Sequence, residues 1–202
     1  MLTKRIKRAV GVAAFGIVPL ALPVLTAGAA SGHGYTQNPM SRQALCADGT
    51  VSNCGAIQWE PQSVEGPGNF PSGGPADGNL CSGGNGRFSE LDEPRNGNWP
   101  ATDVSAGQDL QFRWELTAAH STESFRYFIT KDSYDPSRPL TRDQLELQPF
   151  HTEDYNGRQP DFTVTHTGQL PSDKSGKHLI FGVWEVADTS NAFYTCSDVN
   201  FG

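Results

Sequence analysis

The chain has 202 residues, of which 15 are Lys or Arg and 22 are Asp or Glu, giving a formal net charge of −7. That acidic balance argues against nucleic acid and anionic membranes as partners, because both are bound through clustered basic side chains. The length and the 36% hydrophobic content allow one well-filled core.

The opening stretch carries Lys4, Arg5, Lys7 and Arg8, then an apolar run over residues 9–25, then the small residues Ala30-Ser31-Gly32. This is the pattern of a secretory signal peptide, expected to span residues 1–32. A membrane anchor fits less well, since a spanning helix needs about 20 apolar residues and this run also contains Pro19 and Pro23. Cleavage after Gly32 leaves residues 33–202 as a single secreted, extracellular domain of 170 residues with His33 at its N-terminus. Cuts after Ala29 or Ala30 also satisfy the small-residue rule and would leave extra residues before His33. Removing the four leader cations leaves 11 basic residues against 22 acidic ones, a charge of −11.

Four cysteines in an exported chain read as two disulfides with three possible pairings. Cys46 and Cys54 are near neighbours around a short polar loop, which leaves Cys81 to reach Cys196. No Cys-x-x-Cys spacing suggests thiolate metal binding. Residues 39–100 are rich in Gly, Pro, Asn and Ser, yet they include Ile57, Trp59, Val64, Phe70, Leu80, Phe88 and Leu91. An ordered, irregular and partly helical insertion is predicted there.

After Trp99-Pro100 the pattern changes to strands. Leu110, Phe112, Trp114 and Leu116 alternate with polar residues, and residues 125–130 form an aromatic-rich run. Residues 162–165, 178–187 and 192–201 read as further strands, with a turn over residues 188–191. The predicted fold class is all-β, an antiparallel β-sandwich, with Trp114 and Trp184 in its core. His151, His166 and His178 are expected to be structural, because no second ligand cluster accompanies them.

An N-terminal histidine offers two metal donors on one residue, the α-amine and ring Nδ1, which close a six-membered chelate. The second ligand is expected to be His120, at the end of the Leu110 strand, where alternation would put Ala118 on the same side. Three nitrogens without thiolate or carboxylate favour Cu(II) over Zn(II) and Ni(II), with binding that weakens as the pH falls.

The stretches His33-Gly-Tyr35, Trp59-Glu-Pro-Gln-Ser-Val-Glu65-Gly, Gly74-Pro-Ala-Asp-Gly78, Thr117-Ala-Ala-His120-Ser-Thr, Arg126-Tyr-Phe-Ile-Thr-Lys131 and Ala187-Asp188-Thr-Ser-Asn191-Ala-Phe193-Tyr194 occur in order across the mature chain. Together they resemble the bacterial lytic polysaccharide monooxygenases of the chitin-binding-protein type, auxiliary activity family ten. The resemblance implies a fibronectin type III-like or immunoglobulin-like sandwich whose loop insertion shapes a flat substrate face. It implies one copper ion per chain in a histidine brace of His33 and His120, with Ala118 and Phe193 near the axial positions. Glu65 matches a carboxylate close to the copper, and Trp59, Glu60, Gln62, Asp188 and Asn191 match the substrate-binding surface. Trp59 departs from the tyrosine many relatives carry there, which keeps a stacking platform and loses a hydroxyl.

The implied reaction uses an external electron donor and dioxygen or hydrogen peroxide to hydroxylate a glycosidic carbon of crystalline chitin, at C1, and so break the chain. A monomer is the simplest expectation, and with no further domain after Gly202 the catalytic face itself is expected to provide adhesion. The rival readings are a non-catalytic chitin-binding adhesin, which would not need His120, and a copper carrier, which would not need Trp59. A hydrolase is disfavoured, since no paired carboxylate motif stands out.

Overall fold

The computed structural model describes residues 32–202, so the expected signal peptide lies, except for Gly32, outside the described residues. The chain forms strands β1 (His33–Asn38), β2 (Glu65–Pro67), β3 (Thr102–Val104), β4 (Asp109–Ala118), β5 (Thr122–Ile129), β6 (His151–Asp154), β7 (Thr163–Gln169), β8 (Gly176–Val186) and β9 (Asn191–Phe201). A short helix α1 spans Arg42–Ala47. One sheet has the order β1-β4-β7; the other runs β2-β9-β8-β5-β6, with β3 added alongside β9. All pairings are antiparallel except β3 with β9, the one departure from the expected purely antiparallel sandwich.

Local sequence explains most of these elements. Along β4 the inward positions Leu110, Phe112, Trp114 and Leu116 are buried, while Asp109, Gln111 and Arg113 are exposed. In β8 the apolar run is continuous because both faces are covered. Ile180, Trp184 and Val186 enter the core between the sheets. Leu179, Phe181 and Val183 enter a second core under the irregular segment.

That second core gives residues 39–100 their order. Ile57, Val64, Phe70, Leu80, Phe88 and Leu91 are all buried there, whereas Trp59 is left 81% exposed. The segment contains α1, capped by the Ser41 side chain, and 3₁₀ turns at Gly55–Trp59, Gly86–Leu91 and Arg95–Gly97. Disulfides join Cys46 to Cys54 and Cys81 to Cys196. Arg42 donates to Asp198 at 2.7 Å and to the Leu91 carbonyl at 2.9 Å, and its guanidinium lies 4.8 Å from the Trp99 ring. Truncating either member of this buried pair would leave an uncompensated charge, at a cost of about 3–5 kcal/mol.

Strands β1 and β6 have no counterpart in the hydrophobic pattern. The buried positions of β1 are Gly34 and Thr36, and β6 is the polar edge sequence His-Thr-Glu-Asp. Strand β7 begins at Thr163 and continues to Gln169, past the expected end, because its inward positions Val164, His166 and Gly168 include only one clearly apolar residue.

His166 is buried in the inter-sheet core. Trp114 Nε1 donates to Tyr127 Oη at 2.9 Å, which leaves the Tyr127 hydroxyl to donate to His166 Nδ1 at 2.9 Å. Burial, reinforced by the neighbouring His151, pushes the His166 imidazole down to about 4. The unfolded chain therefore takes up this proton first, near 6.5, and stability should fall as the pH drops from about 6.5 to about 4. The loss should reach roughly 3 kcal/mol, with His178, also shifted downward by burial, adding in the same direction. Thermal melts across this range should show the decline in wild type and a flatter profile in His166→Phe. Parallel profiles would contradict this assignment.

Candidate metal centre and substrate face

The antiparallel pairing of β1 with β4 sets His33 opposite Ala118. His120 lies two residues further on, but the structure corrects the expected setting: β4 ends at Ala118, and Ala119 and His120 belong to the turn into β5. Strand alternation therefore does not orient His120. Ala118 is partly exposed while His120 is buried, at 6% exposure.

The turn is held by hydrogen bonds on every side. Trp184 Nε1 donates to Thr122 Oγ1 at 2.8 Å, and that hydroxyl donates to the His120 carbonyl at 2.9 Å. The Ala187 amide donates to the Ser121 carbonyl, and the Thr122 amide to that of Arg158. Gln159 Nε2 donates to the Ala119 carbonyl at 3.0 Å. His120 thus projects from a short loop anchored to a fully buried tryptophan.

Gly32 shows how closely the backbone just before β1 approaches this ring. A Cβ at Gly32 would lie 2.5 Å from His120 Cδ2 and 2.8 Å from Phe193 Cε2, so only glycine fits. The His33 nitrogen is three covalent bonds from that point, within about 4 Å. The His33 and Phe193 ring centroids are 6.4 Å apart, and Phe193 packs on Trp184 at 4.8 Å. Asp188 Oδ1 lies 3.5 Å from His120 Nδ1.

Strand β2 brings Glu65 opposite Phe193 in β9. Asn191 Nδ2 donates to Glu65 Oε1 at 2.7 Å, so two sequence-selected residues are directly bonded. The Gly34 amide donates to the Gln62 carbonyl at 2.9 Å, which ties the Trp59-to-Gln62 turn to β1. Glu60 Oε1 lies 2.5 Å from Arg87 Nη2, a partner that no sequence motif singled out. His33, Ala118, His120, Phe193, Asp188, Asn191, Glu65 and the Trp59-to-Gln62 turn thereby gather at one end of the sandwich. The segment that carries Arg158 and Gln159 also flanks His120, and its polar, turn-rich sequence gave no sign of this.

The donor chemistry fits a copper ion. Among the described residues no three His, Cys, Asp or Glu side chains converge, and a freed His33 amine would add a third nitrogen to the two imidazoles.

A family model described as lytic polysaccharide mono-oxygenase, cellulose-degrading, matches residues 33–199. GlcNAc-binding protein A of Shewanella oneidensis is 46% identical over 188 residues, covering 92% of this chain and 39% of that relative. The chain spans about half or less of the length of the curated relatives it matches. An AA10 lytic polysaccharide monooxygenase from Streptomyces lividans superposes with a TM-score of 0.82 at 55% identity, covering 84% of this chain and 100% of that one. CBM33 from Bacillus amyloliquefaciens, solved in complex with Cu(I) after photoreduction, superposes with a TM-score of 0.76 at 38% identity, covering 84% of this chain and 100% of that one.

Calorimetric titration of protein beginning at His33 should show one Cu(II) bound per chain. His120→Ala should weaken binding by more than about 100-fold, since even the loss of an outer-shell partner costs 10–100-fold. Equal affinities would remove His120 from the ligand set.

Proposed function

This chain belongs to the lytic polysaccharide mono-oxygenase family, and from that premise we propose that it is a secreted, copper-dependent enzyme that binds crystalline chitin and cleaves it oxidatively at C1. The observation that carries the reading is the β1–β4 register, which sets His33 opposite Ala118, two residues before His120, with the His33 and Phe193 ring centroids 6.4 Å apart. The family match begins at His33, which supports a mature terminus there.

His33 would hold the metal through its amine and Nδ1, and His120 through its ring. Copper held there would supply one-electron redox chemistry, drawing on an external donor and on dioxygen or hydrogen peroxide, to oxidise a glycosidic C–H bond. Phe193, buried against Trp184, and Ala118, opposite His33, flank the two histidines with apolar surface and would limit further ligands to the open side. Asn191 engages Glu65 Oε1, which leaves Oε2 to accept or hold a proton at the edge of the site.

Trp59 would stack on the apolar face of a pyranose ring, while Glu60, Gln62, Asp188 and Asn191 would bind hydroxyl or acetamido groups. A polysaccharide laid over these residues would itself exclude water, which strengthens the electrostatic interactions beneath it. The Trp-Glu-Pro-Gln-Ser-Val-Glu segment and the GlcNAc-binding relative both support chitin.

The test is incubation of copper-loaded protein with chitin, and in parallel with cellulose, together with a reductant and limiting peroxide. Mass spectrometry should find aldonic-acid chitooligosaccharides with wild type and none with His120→Ala. Binding to chitin without oxidised products would favour an adhesin, copper binding with neither would favour a carrier, and products from cellulose alone would reassign the substrate.

A further inference from the structure

Among the described residues three large apolar side chains stand exposed: Trp59 at 81%, Phe162 at 63% and Leu147 at 43%. Single exposed hydrophobics are common and need no explanation. Here, however, two of the three are joined by one hydrogen-bonded row across the end of the sandwich that carries His33 and His120. The Gln62 carbonyl, three residues from Trp59, accepts from the Gly34 amide at 2.9 Å. Gly34 is the strand partner of Leu116, and the Leu116 amide donates to the Phe162 carbonyl at 2.7 Å. With adjacent strands about 4.8 Å apart, the Phe162 backbone lies roughly 10 Å from Gly34 on the side away from Trp59.

The segment that presents Phe162 is braced against the His120 turn. The Gly157 amide donates to the Thr122 carbonyl, the Thr122 amide to the Arg158 carbonyl, and Ser121 Oγ to the Gly157 carbonyl. Gln159 Nε2 holds the Ala119 carbonyl, and Pro160 is buried. Asp161, next to the ring in sequence, is exposed, while the Arg158 guanidinium lies over Tyr155 and donates to the Tyr155 and Asp154 carbonyls. This is an apolar ring with a polar neighbour, held at the bend that leads into the edge strand β7. Leu147 is the contrasting case, because the Glu146 amide bonds to the Ile129 carbonyl at the opposite end of β5.

We propose that Phe162 is a second aromatic docking point for the polysaccharide, across the metal centre from Trp59, so that one chain of the substrate surface is gripped on both sides of the His33–His120 pair. The proposal rests on the polysaccharide reading of the preceding subsection. The occupant is an uncharged sugar chain: a phenyl ring offers only an apolar face, which suits the C–H face of a pyranose, and the adjacent exposed Asp161 offers a carboxylate to hydroxyl or acetamido groups. Contact of this kind should be insensitive to salt.

Binding isotherms of copper-loaded protein on β-chitin test this at low and high salt. Phe162→Ala should raise Kd about fivefold at both salt concentrations, as expected from partial loss of an aromatic burial. Phe162→Tyr should stay within about twofold of wild type, and Leu147→Ala should leave Kd unchanged. Copper affinity and reductant-driven peroxide formation without chitin should be the same in all four proteins. A Phe162→Ala Kd within twofold of wild type would overturn the proposal, as would a change confined to self-association in sedimentation. Failure of wild type itself to bind chitin would instead refute the underlying functional reading, and the two failures are therefore distinguishable.

Discussion

The candidate metal centre depends on the pairing of β1 with β4. That pairing holds His33 at the end of β4, beside the turn that carries His120. Because side chains alternate across a strand, a slip of one residue would turn the β1 side chains to the other face. Gly34 makes the close pairing possible: a Cβ there would collide with Leu116 and approach Trp184 to 3.1 Å. The register irregularity between His33 and Gly34 falls at the point where the chain leaves the ladder for the site.

The other half of the centre is fixed from below. Trp184 packs between Phe193 and Phe125 and also holds Thr122, which in turn holds His120. One core tryptophan thus positions both Phe193 and the turn that carries His120. The irregular segment is held to β9 by the Cys81–Cys196 disulfide and by the Arg42–Asp198 ion pair. These restraints present Trp59 to solvent from a 3₁₀ turn packed over the β9–β8 side of the fold. Ordering of this kind lowers the entropy cost of binding a flat, extended ligand.

The main strands were legible in the sequence because β4, β5, β8 and β9 fill a core, and burial writes itself into apolar periodicity. Strands β1 and β6 were not, since Gly34, Thr36 and an edge of polar residues carry no such signal. The order of residues 39–100 was foreseen from its apolar residues and cysteines. Composition alone does not separate the exposed Trp59 from the buried Phe70, whereas the family motif around Trp59 already points to the surface. At the site, His33 and His120 could be named from the leader boundary and the motif, but the setting of His120 was misjudged. A turn obeys local hydrogen bonds, not alternation. Arg87 and Phe162 had no motif at all, and only strand pairing and loop closure bring them to this end of the molecule.

The central claim is that the third metal donor is the main-chain nitrogen of His33. It is tested most directly by comparing protein that begins at His33 with protein that keeps one residue, Gly32, before it, using copper titration and electron paramagnetic resonance. The account predicts tight binding of one Cu(II) with coupling to three nitrogens for the first protein, and a marked loss of affinity with an altered spectrum for the second. Identical affinities and spectra would contradict it.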